Sequence, residues 1–348
     1  MSSKQFGGKV KKEHLAHYEK SPNWKDGQFQ NIEETKLSIE FYKIPGLICK
    51  QLSGRKEREP NAPLPILPFD KKAFLAPSEK MKFIWYGHSA LLMRLNNQTI
   101  LIDPMLGPNT SPIAPFGTYR YSKDTLDLID QFPEIDLMMV THDHYDHLDH
   151  DSQMKLKSKT KKHFVGMGVK RHLVKWGVDA DLITEFDWWD SATHENIEIT
   201  YTPTRHFSGR GLTDRAKSLW GGWAFKVENE NIWFSGDSGY GEHFNEVGKR
   251  LGPFDFAFME CGQYDEQWHQ IHMFPEESVQ AARDAGVKLA MPVHWAGFTL
   301  APHKWTDPPE RFVKEAEQQQ QAYTLPNLGQ LMTSEGIQKE KWWKEFEK

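Results

Sequence analysis

The sequence predicts an α/β fold in which two mixed β-sheets pack face to face with helices on their outer faces, an αββα sandwich. Two observations carry that expectation. Short apolar strands alternate with helical segments through most of the chain, and two hairpins far apart each lead into an aspartate. The first hairpin joins Ala90 to Leu95 and Thr99 to Ile102 around Asn96-Asn97 and ends in Asp103. The second joins Trp223 to Val227 and Ile232 to Phe234 around Glu228 to Asn231 and ends in Asp237. A unit that recurs in this way implies two similar halves.

The remaining elements follow in order. Residues 1–79 have weak periodicity, seven prolines (Pro22, Pro45, Pro60, Pro63, Pro65, Pro68 and Pro77) and the charged run Arg55 to Glu59. They are expected to form an extension lying on the core of a domain that spans 80–348. Its apolar patches, Ile39 to Ile48 and Leu64 to Phe69, pack on that core or, alternatively, face lipid. From Lys82 the character changes: Phe83-Ile84-Trp85-Tyr86 reads as a strand, Leu137 to Val140 as another, and Val169 to Trp176 as a helix. Pro275-Glu276-Glu277 opens a helix to Ala285, with proline in the first turn and acids at the positive end of the dipole, and Gly286 closes it. Gln318 to Gln321 is a short glutamine run. The end, Lys339 to Lys348, reads as a solvated amphipathic helix.

Composition removes several function classes. With 348 residues, 38% of them hydrophobic, the chain can bury a large core, which 13 Trp and 21 Phe would largely fill. A net charge of -5 argues against a broad basic face for nucleic acid. No stretch reaches the roughly 20 apolar residues of a membrane span, although peripheral contact stays open. Met1 to Glu13 is polar and basic, unlike a secretory signal. Cys49 and Cys261 make no disulfide framework. A cytoplasmic protein is expected.

The chemistry concentrates in Thr141-His142-Asp143-His144-Tyr145-Asp146-His147-Leu148-Asp149, directly after the apolar strand Leu137 to Val140. Four metal-ligand side chains, His142, His144, Asp146 and His147, fall within six positions. Alternate residues at a strand end point the same way, so His142 and His144 share one direction. If the chain then turns into a helix, Asp146 and His147 face a second point nearby. Imidazole and carboxylate donors suit Zn²⁺, and also Fe and Mn. Three more strands each precede such a residue: Thr200 to Pro203 leads to His206, Ile232 to Gly236 to Asp237, and Leu289 to Val293 to His294.

The strand-to-HxHxDH pattern, then a lone His, Gly-Asp and a late His, resembles the metallo-β-lactamase superfamily. Gly87-His88, Leu101-Ile102-Asp103-Pro104, His144 to Asp149, His206-Phe207-Ser208-Gly209-Arg210, Gly236 to Tyr240, His272 to Glu277 and His294-Trp295 are similar to its branch of N-acyl-phosphatidylethanolamine-hydrolysing phospholipases D and their bacterial relatives. The likeness covers about Lys82 to Pro309. It implies one metal on His142, His144 and His206, a second on Asp146, His147 and His294, and Asp237 bridging both. Asp103 would orient a ligand histidine. The sequence departs from the phospholipase pattern at Glu260-Cys261-Gly262 and in a shorter Gln263 to Ile271 segment, where substrate walls are expected.

Two divalent ions a few ångströms apart make hydroxide available at neutral pH, so no protein nucleophile is required. Set against Asp146, Asp237 and that hydroxide, they leave roughly one net positive charge, which favours an anionic, small-molecule or lipid-like substrate. Arg210, His88 and His272 are candidates to touch substrate oxygens or protonate the leaving group, or else to serve as structural hydrogen-bonders; Asp146 joins them as a residue of the reaction site. Cys261, with no base spaced to activate it, reads as a buried thiol. The expected function is a phosphodiesterase-like, phospholipase D-like hydrolase with two divalent ions, zinc first, manganese or iron as alternatives. Its rivals are a lactonase resembling the ascorbate-6-phosphate lactonase branch and a metal-binding sensor or scaffold without turnover.

Overall fold

The computed structural model describes residues 4–35, 55–111, 118–211 and 213–347. The patch Ile39 to Ile48 and Cys49 lie outside them. A small ribbon, β1 (Trp24–Lys25) and β2 (Gln28–Phe29), precedes the sandwich. The first sheet contains β3 (Lys82–Trp85), β4 (Leu91–Leu95), β5 (Gln98–Ile102), β6 (Leu137–Val140), β7 (His163–Gly166) and β8 (Ile183–Phe186). The second contains β9 (Ser191–His194), β10 (Ile197–Thr202), β11 (Gly222–Val227), β12 (Glu230–Phe234), β13 (Phe254–Glu260), β14 (Val287–Val293) and β15 (Ala322–Tyr323). The chain then returns to the first sheet as β16 (Leu331–Thr333), beside β3. The sheet orders are β16-β3-β4-β5-β6-β7-β8 and β15-β14-β13-β12-β11-β10-β9.

The two halves share one pairing pattern. In the first, β3, β4 and β5 are antiparallel neighbours, and β5 to β8 run parallel. In the second, β10, β11 and β12 are antiparallel and β12 to β15 parallel. The first hairpin turns on Asn96 and Asn97, both left-handed (φ 46° and 61°), as a tight two-residue turn requires. The second is tighter than the sequence predicts: Val227 pairs with Glu230, so only Glu228 and Asn229 turn. Parallel strands carry their C-terminal ends to one edge, which brings the loops after β5 and β6, and those after β12, β13 and β14, to the same rim.

Both faces of the inner strands β3 to β7 are buried, which is why they read as largely apolar runs, whereas the edge strands β8 and β16 are partly open. Phe83 and Trp85 point into the core between the sheets, where the Phe83 ring lies 5.2 Å from Phe256 and 5.1 Å from Phe258. Ile84 and Tyr86 point the other way, to a second cluster with Ile129, Phe132 and Leu156 from the covering helices. Helices Pro275–Asp284 and Asp307–Gln318 pack over the second sheet. Of the patch Leu64 to Phe69, Leu64 enters the main core, Ile66 and Phe69 pack on the outer cluster and Leu67 stays exposed. No helix among the described residues is long and apolar enough to cross a membrane.

The C-terminal end differs from the expected solvated helix. Trp342–Phe346 forms a short 3-10 turn, and Trp342 and Trp343 are buried. Both indoles pack on Trp295, with centroids at 5.5 and 5.4 Å, and Trp343 Nε1 donates to Glu310 Oε1 at 2.9 Å. Two adjacent indoles gain more by closing over the core than a helix would gain by spacing its lysines. Trp343→Ala should therefore cost about 3–5 kcal/mol in denaturant unfolding, whereas Ile337→Ser, at a site 63% exposed, should leave the midpoint unchanged.

Candidate metal centre

The buried strand β6 delivers Thr141 and His142 to the rim, and a turn through His144 to Leu148 leads into helix His150–Leu156, capped by Asp149. This turn points its side chains at two neighbouring places. His142 Nε2 and His206 Nε2 approach His144 Nδ1 at 2.9 and 3.1 Å. On the other side, His147 Nε2 and His294 Nε2 each lie 3.0 Å from Asp237 Oδ2 and 3.4 Å from Asp146 Oδ2. Asp237 Oδ2 also lies 3.9 Å from His142 Nε2 and 4.0 Å from His206 Nε2. The structure thus brings together all seven residues singled out as ligands, with one carboxylate oxygen between two clusters.

The protons fit a cation better than a hydrogen-bond network. His206 Nδ1 faces the carbonyl of Ile271 at 3.0 Å, and His294 Nδ1 that of Gly262 at 3.2 Å. A carbonyl only accepts, so both rings carry a proton on Nδ1; neutral His206 then turns an Nε2 lone pair inward, and His294 turns its Nε2 to the two carboxylates. Thr141 Oγ1 donates to Asp103 Oδ2 at 2.6 Å and so accepts from His142 Nδ1 at 3.1 Å, which leaves His142 Nε2 bare as well. Three inward nitrogens of the first cluster then share at most the one proton on His144. His147 Nδ1 donates to Asp103 Oδ2 at 2.8 Å, and its buried Nε2 makes no hydrogen bond among the described residues despite two carboxylates within reach. Converging nitrogens, with the rings of His142, His147, His206 and His294 each oriented by an oxygen behind it, are what a metal site of imidazoles requires.

Electrostatics divides the clusters. Burial and the neighbouring imidazoles hold His142 and His206 well below the ordinary histidine range. Burial also opposes the proton on His294, but Asp237 and Asp146 outweigh it and raise that pKa to about 10. The carboxylate side of the centre therefore draws in positive charge, as protons or as metal.

The other candidates fall in different places. His88, fully buried, puts Nε2 2.8 Å from Asp146 Oδ2, and burial followed by His294 lowers its pKa to about 3. Its backbone pairs with Trp295 and His294, which ties it to the loop after β14. The His272 ring lies 5.2 Å from that of His294 and 4.9 Å from that of His206. Arg210 is not brought to the centre. Its guanidinium lies 4.0 Å from the centre of the Tyr145 ring, with Nη1 on the carbonyls of Asp143 and Leu148 at 2.6 and 2.7 Å and Nε on Gln5 at 2.8 Å. It braces the back of the ligand turn, because that turn has carbonyls a helix would otherwise satisfy. Cys261 is fully buried, with Sγ 3.4 Å from the Pro308 carbonyl, and burial raises its pKa well above the usual value.

Sequence reasoning passed over two carboxylates. Asp143, inside the motif, turns away from the clusters and accepts from Gly209 N at 2.8 Å and Ser218 Oγ at 2.5 Å, with His172 Nε2 at 3.2 Å. Glu260 lies 2.8 Å from His272 Nδ1 and accepts from Met273 N at 3.3 Å. Burial pushes its carboxyl well above the usual range, against the pull of His294. The signal was present: Glu260 ends the apolar strand β13, as Asp237 follows β12.

Asp237→Asn should weaken retention of at least one ion and abolish turnover, because a neutral amide oxygen replaces the charge shared by both clusters. Elemental analysis of protein purified without chelator should give about two ions per chain for wild type and for Cys261→Ala, and fewer for Asp237→Asn. Loss of turnover in Cys261→Ala with metal and fold intact would contradict the inert role of the thiol.

Residues 98–295 match the family model of the beta-lactamase superfamily domain. An uncharacterised protein of Mycobacterium tuberculosis is 34% identical over 332 residues, 94% of this chain and 88% of its own. N-acyl-phosphatidylethanolamine-hydrolysing phospholipase D 1 of Caenorhabditis elegans is 31% identical over 243 residues, 66% of this chain and 68% of its own. Among solved structures, Igni18, a metallo hydrolase of Ignicoccus hospitalis, shares the fold with a TM-score of 0.57 at 20% identity, covering 73% of this chain and 98% of its own. The chain belongs to the metallo-β-lactamase superfamily of metal-dependent hydrolases, in the branch that holds the N-acyl-phosphatidylethanolamine-hydrolysing phospholipases D.

Proposed function

We propose that this protein hydrolyses a phosphodiester of the glycerophospholipid kind with two divalent ions, zinc being the ion its nitrogen and oxygen donors suit. One observation carries the reading: Asp237 Oδ2 stands 3.0 Å from two imidazole nitrogens of one cluster and 3.9 and 4.0 Å from two of the other. His142, His144 and His206 would hold one ion, Asp146, His147 and His294 the other, with Asp237 shared. Such a pair of ions supplies Lewis acidity and a water made nucleophilic at neutral pH.

The chain's own residues divide the remaining work. His88 fixes Asp146 through the 2.8 Å contact. His272, with Nδ1 engaged by Glu260, has Nε2 left to hold a proton for the leaving oxygen. An anionic substrate also needs a cation outside the centre, and Arg210 is buried with Nε and Nη1 on backbone carbonyls. Arg215 takes that part. It is exposed, its guanidinium lies 4.7 Å from the centre of the Phe207 ring, and that ring lies 4.5 Å from His144. Among the described residues no carboxylate pairs with it. The relative from Caenorhabditis elegans is named for a phosphodiester substrate, N-acyl-phosphatidylethanolamine, which supports the same class here.

Zinc-loaded protein should turn over bis-nitrophenyl phosphate faster than it opens a cephalosporin. The diester carries its charge on the group that reacts, where two ions would meet it, whereas the lactam's reacting carbonyl is neutral and its carboxylate lies away from that carbonyl. Lactam turnover well above diester turnover in steady-state assays of one preparation would overturn the assignment. Arg215→Ala should raise KM for the diester by about 10-fold, the loss of one charge-assisted contact, with kcat nearly unchanged. An unaltered KM would remove Arg215 from the substrate site.

A further inference from the structure

His206 lies on a segment outside any strand, so no sheet ladder serves its backbone. Its N–H and C=O are nevertheless both paired, and by one side chain. Asn31 Nδ2 donates to the His206 carbonyl at 2.8 Å, and His206 N donates to Asn31 Oδ1 at 3.1 Å. The same Oδ1 accepts from Trp220 Nε1 at 2.9 Å, which fixes which way the amide faces. A side-chain amide here does what a neighbouring strand would do. The chain on either side of Asn31 follows the same loop: Phe29 N donates to the Ala216 carbonyl at 2.9 Å, and Arg205 donates to the Glu34 carbonyl at 2.9 Å and to Thr35 Oγ1 at 3.0 Å.

A second stretch of the extension holds the other loop of the first cluster from behind. The Gln5 carbonyl accepts from Arg210 Nε, the arginine that braces the His144 turn. Gly8 N donates to His172 Nδ1 at 3.1 Å, and His172 Nε2 meets Asp143 at 3.2 Å. The ligands of the second cluster have anchors of their own, all inside the sandwich: Asp103 for His147, the Gly262 carbonyl for His294 and His88 for Asp146.

We propose that the N-terminal segment is a working part of the first histidine cluster, and that Asn31 is a positioning residue which sets His206 and thereby the affinity of that cluster's ion. The assignment rests on the two-ion reading above. It makes ion loss selective. Releasing His206 loosens one of three nitrogens around one ion, and leaves the other ion with its ligands and their anchors intact.

The test uses full-length protein and zinc alone, with stepwise affinities measured against a chromophoric chelator and the remaining site located by anomalous scattering. Asn31→Ala should weaken one ion by about 10- to 100-fold, the usual effect of removing a ligand's support, with the second ion unchanged and the vacant site at His142, His144 and His206. Asn31→Asp, nearly the same shape, keeps the acceptor for His206 N–H but sets an oxygen against the His206 carbonyl, so it should weaken the same ion; it stands in if the alanine variant does not fold. Ile32→Ser, one residue along and 58% exposed, should bind both ions as wild type does. Folded Asn31 variants with both affinities intact would overturn the proposal, as would equal weakening of both ions, which marks a general structural role. Wild-type protein that never holds two ions would instead overturn the two-ion reading on which the proposal rests.

Discussion

Asp103 is a carboxylate with no solvent exposure at the end of β5, and three donors converge on it: Thr141 N at 2.8 Å, Thr141 Oγ1 at 2.6 Å and His147 Nδ1 at 2.8 Å. A charge removed from water is tolerated only when its lone pairs are taken up in this way. The consequence reaches both clusters. His147 is oriented directly, and His142 through the threonine hydroxyl that Asp103 has already turned. Backbone strain gathers at the same rim: Asp103, His88 and His294 all have positive φ, at 42°, 54° and 68°. Such conformations cost of order 1–3 kcal/mol each and persist because the hydrogen bonds around them leave no alternative.

The repeated half explains where the next carboxylate comes from. Asp237 follows β12, the second strand of its hairpin, much as Asp103 follows β5, the second strand of the first hairpin, but the two face opposite kinds of partner. Asp103 meets fixed donors; Asp237 meets the Nε2 atoms of His147 and His294, whose Nδ1 atoms are engaged by oxygens on the far side of each ring. The backbone before Asp237 turns through Gly236 at φ 67°, where a Cβ would stand 2.4 Å from the Gly221 carbonyl, so only glycine fits. One repeat supplies an orienting carboxylate, the other a carboxylate exposed to the centre. A duplicated fold thus carries an undivided site, since neither half contains a complete cluster: His206 and His294 come from the second half, and His142, His144, Asp146 and His147 from the first.

Much of this was legible from the chain because it obeys a local rule. An apolar strand followed by His or Asp is a pattern in consecutive residues, and the hairpins have turn residues that identify them. What was not legible depends on direction or on distance along the chain. Arg210 and Arg215 lie five positions apart in one loop, and the sequence gives each the same charge. Only packing shows that Tyr145 and Trp176 cover one guanidinium while the other rests on Phe207 in the open. Asn31 lies in an extension of weak periodicity, and its partner is a backbone 175 residues away, which no spacing reveals. The tryptophan-lysine end misled because spacing registers amphipathic faces but not the gain from packing adjacent indoles on Trp295, one stacked and one edge-on.

The two clusters would hold a cation by different means. The second has Asp146 of its own and the nearer approach to Asp237, and those charges raise His294 to a pKa of about 10 against the burial that opposes it. An ion there gains strong Coulombic attraction, although it must displace protons to enter. The first cluster has three imidazoles and a carboxylate oxygen no nearer than 3.9 Å to His142 Nε2. Burial already keeps His142 and His206 neutral, so an ion meets little proton competition and also little charge. Its hold must come from geometry, from lone pairs fixed in advance so that binding orders nothing further. That is where the structure invests its supports: the Ile271 carbonyl behind the His206 ring, Thr141 behind His142, Arg210 behind the turn that carries His144, and Asn31 on both sides of the His206 peptide.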